Sequence, residues 1–480
     1  MKTDQGRPNA IPFQTRPLIF ILLLAISLRV GAAFYLGDAT PPGKDETSYS
    51  LLAARLASGY GYSFAEGHYP FTPPNTPTAH WSFLYTALVA ALYAIIGAHP
   101  LTVRLVQAIL TGLLMPWLTW RLAQRVPPPT HHKPHSTGDA LPSPNLQSPN
   151  LQSPISQSPN LFISHPPLLA ALLSALYAYF ILYGAMVQTE GLFLLAVLWS
   201  LERALALQER LREKEIERFR FVCAAVTLGV SMAVATLLRQ SILPWVGMML
   251  LWLLAADATM QRRVRRRTLT ALAVATMMLL AAILPFTLRN YRVYGELLLL
   301  NSNAGYAMYS AQHPLHGVNF DAYAAAPLPT DIIPPPANEA QWDRALMARG
   351  IQFVLNDPVR YLQLSTSRMV DYFEFWPKES SSALFNVGRM ASFTLLLPFM
   401  LYGVWVAARS EGRSARGEGR IARLFSPVAL LLLFALFYSL LHILTWAMPR
   451  YRLPVDAVLL IFAAVGLSNL ANHASWRGRK

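Results

Sequence analysis

Charged residues and cysteines are scarce in this chain of 480 residues. Asp, Glu, Lys and Arg together make up 14% of the sequence, whereas a soluble globular protein carries about 25%. The only cysteine is Cys223, so an intrachain disulfide and a metal site built from several cysteines are both excluded. Hydrophobic residues make up 54% of the chain, and they are concentrated in long runs. The composition therefore predicts a membrane protein.

The apolar runs are long enough to cross a bilayer. A run of about 18 or more apolar residues is typical of a transmembrane helix, since about 20 helical residues span the hydrocarbon layer. The sequence predicts an all-α polytopic protein with about ten such helices. The predicted spans are 17–36, 101–121, 166–184, 189–207, 220–238, 241–256, 268–288, 388–408, 425–445 and 453–471. Because no small-residue cleavage site follows the first run, we expect that run to be retained.

Basic residues are concentrated in one set of connections between these helices. The net charge of +15 could indicate nucleic-acid binding, but in a polytopic protein an excess of Lys and Arg marks the cytoplasmic loops. We therefore expect a multi-pass inner-membrane protein with both termini in the cytoplasm and no nucleic-acid partner. The basic, cytoplasmic set comprises the tail before residue 17, 121–165, 202–220, 261–267, 409–423 and the C-terminus. The extracytoplasmic set comprises 37–100, Gln188, 239–240, 289–387 and 449–454.

Two segments do not fit a simple alternation of spans and loops. Residues 81–97 are apolar, but a crossing there would invert every later basic loop. We interpret them as a re-entrant or interfacial helix on the outer face; a true crossing compensated by another helix is the alternative. Residues 126–165 contain four related pentads rich in Ser, Pro, Asn and Gln, a composition that cannot bury a core and predicts a disordered cytoplasmic linker.

These boundaries predict a modular organisation. The parts are an N-terminal transmembrane module 1–125 whose outer loop is 37–100, the linker 126–165, a transmembrane core 166–288, an extracytoplasmic loop 289–387 and C-terminal helices 388–480.

Acidic side chains on the predicted outer face are candidates for chemistry. Asp45 and Glu46 follow the first helix and precede a short amphipathic stretch from Tyr49 to Leu56, which would lie on the membrane surface. The two carboxylates could be catalytic, or they could simply favour the start of that helix. Glu190 stands at the outer mouth of two helices, where a carboxylate is costly unless it is paired or functional; a solvated helix end is the alternative.

Three basic turns fall on the same predicted face. An arginine side chain offers a planar fork of donors that suits phosphate oxygens. Anchoring of helix ends to lipid headgroups by basic and aromatic residues is the alternative interpretation of each turn. The turns are Arg239–Gln240, Arg289–Asn290–Tyr291–Arg292 and Arg450–Tyr451–Arg452.

The order of these motifs resembles the glycosyltransferases of family 39 and related enzymes of the GT-C fold. These include protein O-mannosyltransferases, the aminoarabinose transferases of lipid A and the RgtA/B/C/D-like bacterial enzymes. The resemblance covers nearly the whole chain outside 126–165. It rests on Asp45–Glu46–x–x–Tyr49, Leu52–Ala53–x–x–Leu56–Ala57–Ser58–Gly59, Pro77–Thr78–Ala79–His80–Trp81, Gly97, Val103–Arg104–Leu105, Thr189–Glu190, Leu238–Arg239–Gln240, Pro285–Phe286–x–x–Arg289–Asn290–Tyr291 and Arg450–Tyr451–Arg452–Leu453–Pro454.

The resemblance implies a reaction. It implies that a sugar passes from a polyprenyl-phosphate donor to an extracytoplasmic lipid, glycan or protein, with inversion at the anomeric carbon and Asp45 as the catalytic residue. Glu46 and Glu190 are the further catalytic candidates. The candidates for binding donor phosphate or substrate are Tyr49, His80, Arg239, Arg289, Asn290, Arg450, Tyr451 and Arg452.

The sequence departs from the family pattern at two of these positions. His80 directly precedes Trp81, where relatives often have a basic residue before a proline pair, and Glu190 stands where Asp is common. We predict no protein metal site, although a divalent cation bound at Glu190 remains an option. Another class of function, a lipid transporter or flippase, shares the many helices and basic turns. A transporter would be expected to have paired broken helices and internal repeats, and no such repeat is present.

Overall fold

A computed structural model describes residues 15–42, 44–127, 165–213, 217–256, 262–379, 381–414 and 423–477. Within these ranges the secondary structure is helical, with two isolated β-bridges, Ser63–Pro77 and His68–Thr72. The predicted linker 126–165 lies outside the described residues except at its ends.

The described helices follow the predicted spans closely. We number them in chain order: α1 Thr15–Leu36, α2 Asp45–Ala57, α3 Phe83–Ile96, α4 Pro100–Ala123, α5 Pro166–Leu176, α6 Ala178–Ala185, α7 Glu190–Leu211, α8 Arg218–Leu238, α9 Leu243–Ala256, α10 Arg262–Tyr294, α11 Ala304–Gln312, α12 Glu339–Asn356, α13 Pro358–Tyr372, α14 Ala383–Arg389, α15 Leu395–Ser414, α16 Pro427–Leu444 and α17 Leu453–Arg477. Every predicted span coincides with one or two of these helices.

Among the described helices, seven are long and apolar enough to cross a membrane. The pair α5–α6, bent by 55° at Tyr177, would make an eighth span. The remaining two predicted spans are α7 and the short apolar helix that includes α9. The all-α polytopic class predicted from the sequence is confirmed.

The bend at Tyr177 is stabilised by an arginine inside the helix bundle. A break in a helix leaves carbonyl groups without their usual partners, which is costly away from water. The fully buried Arg29 of α1 donates hydrogen bonds to the carbonyls of Ser174 and Ala175, at 3.2 and 3.3 Å, just before the break. Arg29 therefore compensates the break, so α5–α6 is one bent element fixed by α1.

The C-terminal helix α17 runs through the centre of the bundle, and glycines allow α15 to approach it closely. A Cβ atom added to Gly403 would lie 1.7 Å from the carbonyl oxygen of Phe462, and one added to Gly466 would lie 2.8 Å from that of Phe399. Small residues at a crossing let two backbones pack tightly in a membrane. This packing holds the middle of α17 against α15.

Both ends of α3 lie at the same end of the bundle. The hydroxyl of Ser82, before α3, donates to the carbonyl of Leu237 at the end of α8 (2.9 Å). The imidazole of His99, after α3, lies 3.0 Å from the carboxylate of Asp38 just beyond α1. At 14 residues, the helix is about 21 Å long, shorter than the hydrocarbon layer of about 30 Å. This geometry supports the interpretation of 81–97 as a segment that does not cross.

The opposite end of the bundle carries the basic connections. Buried Glu202 on α7 pairs with Arg121 in the last turn of α4 and Arg125 just after it, at 2.7 and 3.2 Å, and with Arg203. Gln208, also near the end of α7, donates to the carbonyl of Phe425 before α16 (2.9 Å). The described basic connections therefore meet at one end, and the Asp45 end is the other.

A layer outside the bundle covers the Asp45 end, and one carboxylate organises it. Buried Glu339 accepts hydrogen bonds from the hydroxyl of Thr72 (2.6 Å), the amide of Ala79 (2.7 Å) and the hydroxyl of Ser302 (2.8 Å). Residues 72–79 belong to the first outer loop and Glu339 to the second. The two outer loops therefore form one layer, from which His80 enters the candidate site.

Candidate active site

Asp45 is the first residue of α2, at the end of the bundle opposite the basic connections. Negative charge is favoured at a helix N-terminus, but the carboxylate is directed away from its own helix. Its Oδ2 atom lies 2.7 Å from Nη1 of Arg450, in the turn before α17. The Asp45 side chain keeps 35% of its surface exposed. Asp45 is thus an accessible carboxylate held against a guanidinium.

Glu190 and Arg239 continue this chain of charges. Glu190 begins α7 and is only 3% exposed; its Oε1 lies 2.5 Å from Nη2 of Arg239 and 3.5 Å from Nε of Arg450. Arg239, which follows α8, also donates to the hydroxyl of Thr189 at 3.0 Å. Four charged residues, far apart in sequence, therefore form one line: Asp45, Arg450, Glu190 and Arg239.

The charges in this line set the protonation state of Asp45. Burial alone would raise the pKa of the Asp45 carboxyl, but the Arg450 guanidinium and, more weakly, Arg239 and His80 hold that pKa below its usual range. Asp45 is therefore ionised at neutral pH and can accept a proton. Its basicity is low for as long as Arg450 remains bound to it.

Tyr451 packs between the two arginines. The guanidinium carbon of Arg239 lies 5.0 Å from the centre of the Tyr451 ring, and that of Arg450 lies 5.4 Å from it. Arginine over an aromatic face is a favourable cation–π arrangement. Tyr451 thus holds the two cations at a fixed spacing, and it lies where the sequence predicted a binding residue.

An aromatic wall, made by Tyr49, His68, His80 and Trp81, borders the Asp45 side of the site. Trp81 lies in the middle of the wall. Its ring centroid is 5.1 Å from that of Tyr49, 5.7 Å from that of His68 and 5.5 Å from that of His80. Flat apolar faces beside polar edges suit a sugar ring, which has apolar C–H faces and hydroxyl edges. Two of the predicted binding residues, Tyr49 and His80, therefore lie next to Asp45.

Burial determines the charge of His80. The lack of solvent lowers the pKa of its imidazole, and nearby Glu339 opposes this only in part. The ring is therefore neutral at pH 7, where it can donate or accept a hydrogen bond; it is a cation only at lower pH, where its charge helps to hold down the pKa of Asp45. Its Nδ1 atom is buried without a hydrogen-bond partner among the described residues.

Glu46 lies apart from this line of charges. The carboxylate is 1% exposed, lies 2.6 Å from Nη1 of Arg104 on α4 and accepts a hydrogen bond from the backbone amide of Val187 at 2.9 Å. A buried pair of this kind positions helices. Asp45 and Glu46 are neighbours in sequence, yet they point to different partners because successive helical residues point about 100° apart.

Arg452 also binds elsewhere. It is fully buried, with Nε 2.9 Å from the carboxylate of Asp456 and Nη1 2.7 Å from the carbonyl of Tyr372. Asp456 in turn accepts a hydrogen bond from the hydroxyl of Tyr177 at the bend of α5–α6 (2.7 Å). Arg452 thus anchors the turn that presents Arg450.

The predicted turn at Arg289 and Asn290 is separate from the line of charges. Arg289 donates to the carbonyl of Thr78 (2.9 Å), and Asn290 donates to the carbonyls of Leu298 and Leu300 (3.1 and 2.7 Å). Through these hydrogen bonds, both side chains hold outer loops against the end of α10. Arg289 is half-buried and lies on the side of the aromatic wall that faces Thr78.

No group of three or more His, Cys, Asp or Glu side chains that could hold a metal ion is found in the described part of the chain. At the site itself, Asp45 and Glu190 are both directed at Arg450. A guanidinium thus lies between the two carboxylates.

Sequence reasoning overlooked Asp456 and Glu339. Asp456 follows Arg452 by four residues inside an apolar stretch, a spacing at which helical side chains meet, so an i,i+4 search would have found it. Glu339 is the first residue of α12, in a polar stretch of 289–387 that contains no motif.

Comparison with known proteins identifies the fold. No family model and no curated protein matches the sequence. The oligosaccharyltransferase AglB from Archaeoglobus fulgidus, in complex with an inhibitory peptide and dolichol-phosphate, is similar with a TM-score of 0.56 and 14% identity over 97% of this chain and 51% of that one. The apo form of the Archaeoglobus fulgidus oligosaccharyltransferase gives 0.58 and 13% over 96% and 51%.

This chain therefore has the GT-C fold that the sequence predicted, and it spans about half the length of these archaeal structures. Membership in family 39 itself stays a prediction. ArnT from Cupriavidus metallidurans, bound to undecaprenyl phosphate, has a TM-score of 0.45 and 13% identity over 94% of this chain and 60% of that one. Most of this chain is covered in that comparison, but the TM-score shows that the two structures superimpose only loosely.

Proposed function

We propose that this GT-C protein transfers a sugar from a polyprenyl-phosphate donor to an acceptor outside the cytoplasm, with inversion at the anomeric carbon. The observation that carries the proposal is the line Asp45–Arg450–Glu190–Arg239 at the end of the bundle opposite the basic connections. It brings together a carboxylate able to accept a proton and cations able to hold a phosphate. The acceptor is a lipid, glycan or protein hydroxyl.

The chemistry assigns a part to each side chain. The acceptor oxygen forms a bond to the anomeric carbon, the bond from that carbon to the phosphate oxygen breaks, and the acceptor proton passes to Asp45. Such general base catalysis contributes roughly 10²–10⁴-fold. Arg450 and Arg239 would stabilise the charge that develops on the departing lipid phosphate. Glu190, already bound to Arg239, would keep that arginine in place and help to orient the acceptor.

The geometry also suggests how the protein sits in the membrane. Clustered basic residues at the end of α4 and around α7 favour the cytoplasmic side, so we propose that Asp45 and the outer layer lie on the extracytoplasmic side of the inner membrane. The donor's lipid tail would then lie among the helices, with its phosphate at the level of Arg450. The archaeal oligosaccharyltransferase of similar fold was solved with dolichol-phosphate, a lipid of the chemical class that we propose here.

The test is a transfer assay in membranes with a labelled polyprenyl-phosphate sugar. We expect Asp45→Asn to lower the rate of transfer by about 10²-fold or more, because the amide cannot accept the proton. Asp38→Asn is the matched control: Asp38 lies on the same face, its hydrogen-bond partners in the described part of the chain are His99 and Leu101, and its replacement removes the same charge. The control should transfer normally.

Two results would reject the proposal. Normal transfer by Asp45→Asn would remove Asp45 from catalysis. Movement of the labelled lipid across the membrane without any sugar transfer by the unmodified protein would support the flippase alternative.

A further inference from the structure

In the ligand-free site, the proposed base and the proposed phosphate ligand are bound to each other. Asp45 is the strongest partner of Arg450, at 2.7 Å, and Arg450 is the closest cation to Asp45. A carboxylate held by a guanidinium is a weak base, and a guanidinium held by a carboxylate has fewer donors for phosphate. Neither group is ready for its proposed part in the reaction until the pair separates.

Of the two arginines, Arg450 is the one that can change partner. Arg239 is held by Glu190 at 2.5 Å and Thr189 at 3.0 Å, and its guanidinium lies over the Phe193 and Tyr451 rings. Among the described residues Arg450 has one hydrogen bond, to Asp45. Its buried Nε has no hydrogen-bond partner in that part of the chain and lies 3.5 Å from the Glu190 carboxylate, and its guanidinium shares only the Tyr451 ring with Arg239. Loss of Asp45 therefore costs Arg450 a single hydrogen bond.

The turn that carries Arg450 stays fixed while the side chain moves. Arg452, two residues later, is fully buried with Asp456, and the backbone amide of Tyr451 is bonded to the carbonyl of Met448 at 3.0 Å. The side chain of Arg450 keeps 19% of its surface exposed and faces the partly exposed Asp45. A change of partner therefore needs only side-chain rotation.

The local charges favour such an exchange when a phosphate arrives. In the resting site the negative charges of Asp45 and Glu190 balance the positive charges of Arg450 and Arg239. A phosphate therefore binds Arg450 by replacing the Asp45 carboxylate, not by filling a site with spare positive charge. A phosphate monoester, the leaving group of the reaction, carries about −1.5 to −2 charges at pH 7. The donor phosphodiester already carries one negative charge with which it can replace the Asp45 carboxylate at Arg450. Its charge rises as the sugar leaves, and Asp45, once it has taken up the acceptor proton, is neutral and no longer competes for Arg450.

We propose that Arg450 exchanges the Asp45 carboxylate for the phosphate of the lipid donor, so that binding of the phosphate releases Asp45 to act as the base. The inference rests on the proposed function and specifies how the same site is activated. Proton uptake by Asp45 and departure of the lipid phosphate are then coupled through a single side chain. Arg239 and Glu190 remain paired throughout.

The exchange predicts that Asp45 competes with phosphate for Arg450. The experiment measures the affinity of the purified full chain in detergent micelles for polyprenyl phosphate, the proposed product, with inorganic phosphate as a probe for the headgroup alone. We expect Asp45→Asn to bind polyprenyl phosphate about three- to tenfold more tightly than the unmodified protein, because it removes a competing, partly exposed ion pair. Asp38→Asn, which removes the same charge nearby, should bind as the unmodified protein does.

A double variant shows whether the gain in affinity for polyprenyl phosphate depends on Arg450. Arg450→Gln should weaken binding, and adding Asp45→Asn to it should give no gain in affinity. If Asp45→Asn binds no more tightly than the unmodified protein, or if it gains as much without Arg450 as with it, the exchange is wrong. If Asp38→Asn gains the same affinity as Asp45→Asn, the cause is the loss of negative surface charge in general, and the exchange is wrong.

This outcome is separate from that of the proposed function. The exchange is measured by binding alone, in variants whose folding is checked by their thermal transitions, whereas the proposed function is measured by sugar transfer. Transfer by the unmodified protein without the affinity gain in Asp45→Asn would reject the exchange only. The affinity gain with no transfer to any acceptor would reject the proposed reaction while retaining a phosphate-binding Arg450.

Discussion

Asp45 and Glu46 show how much two adjacent carboxylates can differ once their surroundings are known. Asp45 is partly exposed and bound to an arginine whose side chain is 19% exposed, whereas Glu46 is buried with Arg104. Both residue types fit the sequence motif equally well. What separates them is the direction of each side chain and the partner it meets on a distant helix.

The pH dependence of transfer should follow the state of Asp45. Because Arg450, with Arg239 and His80, holds the pKa of Asp45 below its usual range, the base form persists at neutral and mildly acidic pH. Activity should fall only when the pH drops through that lowered value. Arg450→Gln removes the main opposing charge, so the pKa of Asp45 should rise and the acidic limb of the pH–rate profile should move to higher pH.

This shift is checked by measuring kcat/KM of Arg450→Gln as a function of pH, from the activity that the variant retains. Arg344→Gln is a matched control, since Arg344 pairs with Glu296 in the outer layer and its loss should leave the limb in place. An unchanged acidic limb in Arg450→Gln would mean that another group sets the pH dependence.

The buried pair of Glu46 and Arg104 should matter for stability. Removal of one member leaves a buried charge without its partner, at a cost of about 3–5 kcal/mol. We expect Glu46→Gln to lower the thermal transition of the protein in detergent well below that of Asp45→Asn, whose partner remains partly exposed. Equal transitions for the two variants would contradict the structural role of Glu46.

At the scale of elements, the packing of α15 on α17 holds in place the helix that follows the Arg450 turn. The contact depends on Gly403, where an added Cβ would lie 1.7 Å from a backbone oxygen of α17. Gly403→Ala should therefore separate the helices, destabilise the protein and reduce transfer.

Gly247→Ala is the matched control for that variant. Gly247 is also helical, but an added Cβ would meet no atom within 4 Å, so Ala should be neutral or should stabilise the helix by about 1 kcal/mol. Thermal transitions in detergent compare the two variants. Similar losses at both positions would show that the close approach of α15 to α17 is not what the protein depends on.

At the scale of the whole molecule, sidedness can be tested with cysteine labelling. Because Cys223 is the only cysteine, Cys223→Ser gives a background without thiols. We expect Tyr323→Cys, at a position 78% exposed in the outer layer, to react with a membrane-impermeant maleimide in intact cells. Glu209→Cys, at the basic end, should react only after lysis, and the reverse pattern would invert the proposed topology.

Much of the architecture could be predicted from the sequence because it depends on local properties. Apolar runs of bilayer length predict the spans, and charge asymmetry brings Asp45, Glu190, Arg239 and Arg450 to one face. Their pairing could not be read in advance, since it joins residues up to 405 positions apart. Arg452 and Asn290 also match family motifs, but their partners are different: Arg452 binds Asp456 four residues later and the carbonyl of Tyr372, and Asn290 binds two nearby backbone carbonyls.

Glu339 has a practical consequence for protein engineering. Its carboxylate joins residues 72–79 of the first outer loop to Ser302 and to its own loop, directly beside His80. A chimera that replaces only 289–387 would remove this carboxylate, leave Thr72 and the amide of Ala79 without their acceptor, and shift the aromatic wall. Because they share these hydrogen bonds, the two outer loops should be replaced together in a chimera, or both should be kept.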